Sequence, residues 1–313
     1  MKAEEIRSLA SKISQVENDG PKARELLDKA WRSGQHAYRI GITGPPGAGK
    51  STLVNGLAEK LSDEGKKIAI VSVDPSSPFT GGAVLGDRIR MNALSGKDNV
   101  YIRSMATRGS LGGLSMKTHD VCDILDGYGF DIILIETVGV GQIELDIARA
   151  ADVTLTVLVP ESGDDIQAMK AGIMEITNIF VVNKADRHGA EAMILNLQSL
   201  TRLRGSKSTN NWEQPVLKAI ANKGLGVEEI VSVLNNYLYK LKTEKQWIEL
   251  RLNRMNEKVK QLISDDLNLK FWNKDRKAYL KEEIYTKQGL NSSPFTIVEK
   301  LLKSIETLDN SHI

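Results

Sequence analysis

Gly44-Pro45-Pro46-Gly47-Ala48-Gly49-Lys50-Ser51 fits the pattern G-x-x-x-x-G-K-[ST] in full. The pattern has a physical basis. Glycines let the backbone wrap so closely that consecutive N–H groups point at phosphate oxygens. A helix opening near Gly49 adds its positive end to the same place. The Lys50 ammonium supplies a point charge to β- and γ-phosphates, and the Ser51 hydroxyl can ligate Mg²⁺. Thr52 follows within the first helical turn and completes the phosphate-side set.

Asn183-Lys184-Ala185-Asp186 is the second chemical feature. A carboxylate at Asp186 can accept from both the ring N–H and the exocyclic amine of guanine, a pair of donors that adenine lacks. Asn183 and Lys184 are expected to brace this loop against the base and the phosphate cradle. A further base-side loop is expected at Ile220-Ala221-Asn222, where many guanine-nucleotide hydrolases carry Ser-Ala and use the Ala N–H on the guanine oxygen. Ile220 departs from that pattern, but a backbone donor does not depend on side-chain identity.

Carboxylates complete the set. Glu136 stands in DIILIETVGVGQ where a metal-site acid is needed, with Gly139 and Gly141 behind it, and Asp74 closes the run KIAIVSVD. Asp87 lies in GGAVLGDRIRM. Acids around a phosphate site suit a hard, octahedral Mg²⁺ that keeps several waters. Lys50, Glu136 and Asp74 are the candidate catalytic groups; Ser51, Asp74, Asp87 and Glu136 are the candidate metal ligands. Gln142 is a further candidate for orienting the attacking water. His119 and Cys122 share a helical stretch and read as structural, because two such residues do not make a zinc site. Asp186-Arg187-His188 begins a cobalamin-ligating D-x-H-x-x-G pattern but fails it at Glu191, and Arg108 reads as a surface arginine.

The elements that must position these groups follow from the apolar pattern. Residues 1–36 space Ile6, Leu9, Ile13 and Val16 helically and fit a second short helix from Lys22 to Arg32, a helical N-terminal extension. From residue 37, short and nearly continuous apolar runs recur at 40–44, 67–74, 131–139, 153–160 and 178–186, each ending in a turn residue. Strands buried on both faces read this way. Helical segments lie between them, for example Lys50 to Glu64 and Asp164 to Met174, and a strand at 215–221 with a helix from Val227 follows, so the class is α/β, a doubly wound and mostly parallel sheet over 37–235. The stretch 237–285 has no Pro or Gly and predicts one or two long helices standing away from the sheet, and an amphipathic helix carrying Ile297, Leu301, Leu302 and Ile305 closes the carboxy-terminal part, 236–313.

Composition narrows the partners. Net charge is +2, from 42 basic and 40 acidic residues, which gives no reason to expect nucleic acid or an anionic membrane. A single cysteine excludes a disulfide framework. No run approaches the ~18 apolar residues of a membrane span and MKAEEIRSLA is no signal peptide, so a cytoplasmic location is expected.

VDPSSPFTGGAVLGDRIRM, RSMATRGSLGGLS and ETVGVGQIELDIARAAD resemble, nearly word for word, the methylmalonyl-CoA-mutase-associated GTPases of the MeaB/ArgK family. The resemblance implies a P-loop GTPase of the SIMIBI class, a homodimer held by a carboxy-terminal dimerisation arm, and bound GTP or GDP with Mg²⁺. It also implies a partner, an adenosylcobalamin-dependent acyl-CoA mutase whose cofactor loading and protection the GTPase gates. By position Lys50, Ser51, Asp74, Asp87 and Glu136 match the family's phosphate and magnesium residues, and Asp186 its guanine reader. The rivals are a P-loop small-molecule kinase, opposed by Asn183–Asp186, and a nickel-insertion GTPase, opposed by four histidines and one cysteine. A non-catalytic scaffold is opposed by the intact Lys50, Ser51 and Glu136.

Overall fold

The computed structural model describes residues 1–34, 36–74, 94, 96–106, 116–137, 143–162, 172–205, 212–285 and 293–309. Two compact units emerge, Met1–Ile248 and Glu249–Ile313.

The first unit is built on a seven-stranded sheet in the order β3-β2-β4-β1-β5-β6-β7. Its strands are β1 (Tyr38–Thr43), β2 (Ile68–Asp74), β3 (Val100–Ala106), β4 (Ile132–Thr137), β5 (Val153–Leu158), β6 (Ile179–Val182) and β7 (Val216–Lys218). All neighbours pair in parallel. β4, β5 and β6 are buried along their whole length, which is why their sequences run apolar rather than alternating. The expected strands are all present, within a few residues of their predicted ends. β3 is an addition: Arg103 and Ser104 interrupt its apolar run, and it pairs only with β2 among the described strands.

Between the strands run α3 (Lys50–Asp63), α4 (Met116–Gly127), α5 (Ile143–Ala150), the short α6 (Ile173–Ile176), α7 (Ala190–Gly205) and α8 (Val227–Thr243). The helix expected from Asp164 falls largely outside the described residues; only α6 is seen of it.

The amino-terminal helices α1 (Ala3–Glu17) and α2 (Ala23–Ser33) are part of this unit's core rather than an appendage. Leu9, Ile13 and Val16 are wholly buried in one cluster with Val71 of β2, Tyr101 of β3, Leu125 of α4 and Ile133 of β4. Ile6 stays largely exposed. Acids on α4 pin the joint between α2 and β1. Asp123 accepts from Arg39 Nη2 at 2.6 Å and from Trp31 Nε1 at 3.1 Å. Asp126 Oδ1 accepts the main-chain N–H groups of His36 and Ala37, each at 2.9 Å. Burial pulls the Arg39 pKa down, and the Asp123 carboxylate more than reverses it, so the guanidinium stays charged inside the fold. On the outer side, Arg103 of β3 pairs with Glu17 of α1.

At the other end, α8 continues past the expected boundary at 235. Tyr237, Leu238 and Leu241 are buried against the first unit. The Tyr237 hydroxyl accepts from Asn178 Nδ2 at 2.8 Å, its ring meets Trp212 at 4.5 Å, and burial pushes its pKa up to about 12. The apolar face of α8 is therefore covered within the first unit, chiefly by α3. The second unit takes up most of α9 (Gln246–Phe271), with α10 (Lys274–Tyr285) and α11 (Pro294–Asp309). α11 buries Ile297 and Leu301, whereas Leu302 is half exposed. Lys300 on α11 meets Glu283 on α10 at 3.2 Å.

The buried Arg39–Asp123 pair generates a stability prediction. Asp123→Ala strands a guanidinium in the interior and should cost about 3–5 kcal/mol, read as a lower urea midpoint, while Arg39→Met with Asp123→Leu should recover most of it. A loss below about 1 kcal/mol would mean that the pair behaves as a solvated surface contact.

Candidate functional site

The glycine-rich segment leaves the carboxyl end of β1 and turns into α3. Gly44 has φ +137°, and a Cβ there would sit 2.0 Å from the Val157 carbonyl oxygen of β5. No side chain fits where the chain passes its neighbouring strand. Gly49 caps α3 at φ +86°, and a Cβ on it would land 2.4 Å from Asn183 Nδ2. Pro45 and Ala48 are buried, while Pro46, Gly47 and Thr52 face out. Lys50, the first residue of α3, is 6% exposed and turns back across the loop. Its Nζ donates to the carbonyl oxygens of Gly44 at 2.8 Å and Pro45 at 3.0 Å. A cation is thus held inside the curve of the loop, at the amino end of a helix whose dipole has the same sign.

The loop after β6 lies directly against this curve. Asn183 is 3% exposed and bonded at both ends of its amide. Nδ2 donates to the Ala48 carbonyl at 2.8 Å, and Oδ1 accepts the Ala221 N–H at 3.0 Å. Lys184, at φ +55°, sends Nζ to the Gly47 carbonyl at 2.8 Å. Both residues are tied to the Gly44–Ser51 loop. Asp186 stands at the rim with its side chain 43% exposed, 3.2 Å from Lys223 Nζ. That hydrogen bond holds the carboxyl below the usual Asp range, so it is an anion. The Ala221 N–H, expected to face the base oxygen, is instead taken by Asn183. Ile220 donates its N–H to Leu225, and Asn222 lies in the short turn Ala221–Lys223. Lys223 was not among the sequence candidates, since nothing in its spacing singles it out.

Glu136 lies one residue from the end of β4, in register with Ile42 of β1 and Ser72 of β2. It is 6% exposed and accepts from Ser51 Oγ at 2.5 Å. A hydroxyl and a carboxylate therefore meet between the phosphate-side loop and the sheet edge. Both are hard oxygen donors of the kind Mg²⁺ takes, so these residues fit such an ion. Asp74 is the last residue of β2, on the same sheet edge. Asp87, Arg108 and Gln142 lie outside the described residues. Cys122 is fully buried in the core cluster, as its structural reading requires, and among the described residues no cluster of three His, Cys, Asp or Glu side chains could hold a metal. Nor, among them, is any helix long and apolar enough to cross a membrane.

Sheet order explains the meeting point. β1 lies between β4 and β5, so the chain's crossovers run to opposite sides of it. Ligand crevices of open α/β sheets form at the carboxyl ends of strands at such a switch point. The phosphate-side loop, Glu136 and the Asn183–Asp186 loop all occupy that edge.

Comparison with known proteins agrees with this geometry. The family model described as methylmalonyl Co-A mutase-associated GTPase MeaB matches residues 9–276. A putative GTPase of Pyrococcus abyssi is 42% identical over 306 residues, covering 97% of this chain and 94% of its own. GTPase ArgK of Escherichia coli is 32% identical over 310 residues, with 97% and 94% covered. The mouse mitochondrial methylmalonic aciduria type A homolog is 36% identical over 210 residues, covering 65% of this chain and 50% of its own. Among solved structures, a LAO/AO transport system kinase superposes with a TM-score of 0.71 at 26% identity, covering 97% of each chain. The phosphate cradle on a parallel sheet, the braced base loop and the match over most of the chain together place it in the MeaB family of P-loop GTPases.

Proposed function

We propose that this GTPase is a chaperone that gates adenosylcobalamin loading and protection of a partner acyl-CoA mutase of the methylmalonyl-CoA mutase type. The observation that carries the nucleotide half of this reading is the pair of hydrogen bonds made by Asn183, which join the phosphate-side loop to the base-side loops. The mutase half rests on the family to which the chain belongs.

In this reading Gly44–Thr52 cradle the phosphates and Lys50 offsets the charge that develops on the γ-phosphate. Ser51 and Glu136 would hold Mg²⁺, with Asp74 and Asp87 as further acids for the ion or its waters. A bound Mg²⁺ would supply charge neutralisation at the phosphates. Asp186 reads guanine, Asn183 and Lys184 keep its loop in place, and Ile220–Asn222 line the base. Asp74–Arg90 and Gly139–Asp146 are the segments expected to respond to the γ-phosphate, so that the partner meets two surfaces. Intrinsic turnover is expected to be slow, since no arginine in the sequence stands out as a finger, and a partner can accelerate such a site by ~10³–10⁵. A kinase reading fails to use the guanine-selective acid, although a solved relative is titled a transport system kinase.

The dimer is read from α9. Leu252, Met255, Val259, Leu262 and Leu269 are each 45–79% exposed and recur at steps of three, four or seven residues. That spacing lays an apolar seam along one side of a helix, which a second copy would cover by the commonest oligomer symmetry.

Three measurements bear on this reading. Lys50→Ala should abolish GTP turnover, and Glu136→Ala should depress Mg²⁺-dependent hydrolysis more than Mg²⁺-free GDP binding. Wild-type turnover in Lys50→Ala would put the active site elsewhere. Asp186→Asn should lose GTP affinity by about ten- to a hundred-fold and gain for xanthosine nucleotides, whose ring edge presents an acceptor where guanine has its amine. Equal wild-type affinity for ATP and GTP would remove the guanine assignment. Light scattering of the full chain should give about twice 34.5 kDa. Adding a cobalamin-dependent acyl-CoA mutase with GTP should give a larger species; a 34.5 kDa particle rules out the dimer, and no mutase complex rules out the partner.

A further inference from the structure

Lys223 ends the short turn Ala221–Lys223, and that turn is closed on every side. Ile220 donates its N–H to Leu225 at 3.0 Å, Lys223 to Ile220 at 2.8 Å, and Gly224 to Ala221 at 3.1 Å. Ala221 is in turn tied to the buried Asn183. The backbone that carries Lys223 is therefore held in place relative to the loop that carries Asp186. From this fixed base the ammonium reaches Asp186 Oδ2 at 3.2 Å.

The carboxylate needs such a partner. An Asp at the rim of a site, 43% exposed, has a broad and roughly two-fold terminal torsion. To meet both donors of guanine it must present its two oxygens side by side. A carboxylate has about four lone-pair positions, so one ammonium on Oδ2 leaves enough for two further donors. Lys223 thus narrows the orientations of the acid without filling its acceptor capacity.

We propose that Lys223 is a specificity-determining positioning residue: it holds the Asp186 carboxylate in the orientation that accepts the ring N–H and the amine of guanine together. The inference rests on the reading of Asp186 as the base reader. The pairing is between two partly exposed groups, so its effect is modest in affinity and shows chiefly in selectivity.

Inosine diphosphate tests this, because it keeps the ring N–H of guanine and lacks the amine. Binding of GDP and IDP to the full chain is measured by calorimetry for the wild type, Lys223→Met and Lys223→Arg. Wild type should prefer GDP. Lys223→Met should weaken GDP by about two- to five-fold, the range of an exposed ion pair, and weaken IDP less, so the GDP:IDP ratio narrows. Lys223→Arg should restore the ratio. Equal losses for both nucleotides, no loss, or tighter GDP binding in Lys223→Met would overturn the proposal, since the lysine would then be merely structural, irrelevant or a competitor of the base. If the wild type itself fails to distinguish GDP from IDP, the reading of Asp186 falls, and this inference with it.

Discussion

The site depends on one buried amide. Asn183 donates to the carbonyl of Ala48 and accepts from the N–H of Ala221, so a single side chain joins the phosphate-side loop to both base-side loops. At 3% exposure neither end can turn to water instead. Leaving a buried donor or acceptor unpaired costs about 1–3 kcal/mol, so the three loops are stable together and not separately. Lys184 repeats the connection one residue later on the Gly47 carbonyl, from a left-handed backbone conformation that aims its side chain back at the loop.

Charge in the site is handled by the same economy of position. The Lys50 ammonium is nearly enclosed and donates to two loop carbonyls. Glu136 accepts from the Ser51 hydroxyl. Lys50 and Ser51 are adjacent in sequence, and each is oriented by hydrogen bonds of its own. This arrangement suits phosphoryl chemistry, in which positioning and electrostatics supply nearly all the catalysis.

Behind the site, the amino-terminal helices and α4 act as a backing. Asp123 and Asp126 on α4 hold the turn from α2 into β1, and Leu9, Ile13 and Val16 seal the sheet face beneath β2 and β3. β1 carries the phosphate-side loop, so its entry is anchored at one end by buried ionic contacts and its exit by the passage of Gly44 against β5.

The chemistry was legible in the order of residues because its requirements are local. A phosphate cradle needs glycines, a lysine and a hydroxyl within one turn, and a strand buried on both faces needs an unbroken apolar run, so β1, β2, β4, β5 and β6 and the Gly44–Ser51 loop could be read directly. β3 escaped because Arg103 looks polar until Glu17, far away in the chain, is brought beside it. α8 runs on past 235, which its sequence does not announce, because an amphipathic helix does not say what covers its apolar face; for Tyr237 that answer is Asn178 and Trp212. The diversion of the Ala221 N–H to Asn183, and the placement of Lys223 on Asp186, were likewise beyond sequence reading. Local spacing sets which groups are available for chemistry. Which of them share a hydrogen bond is settled only when the sheet order closes distant loops onto one edge, since a partner across the fold leaves no periodicity in the chain.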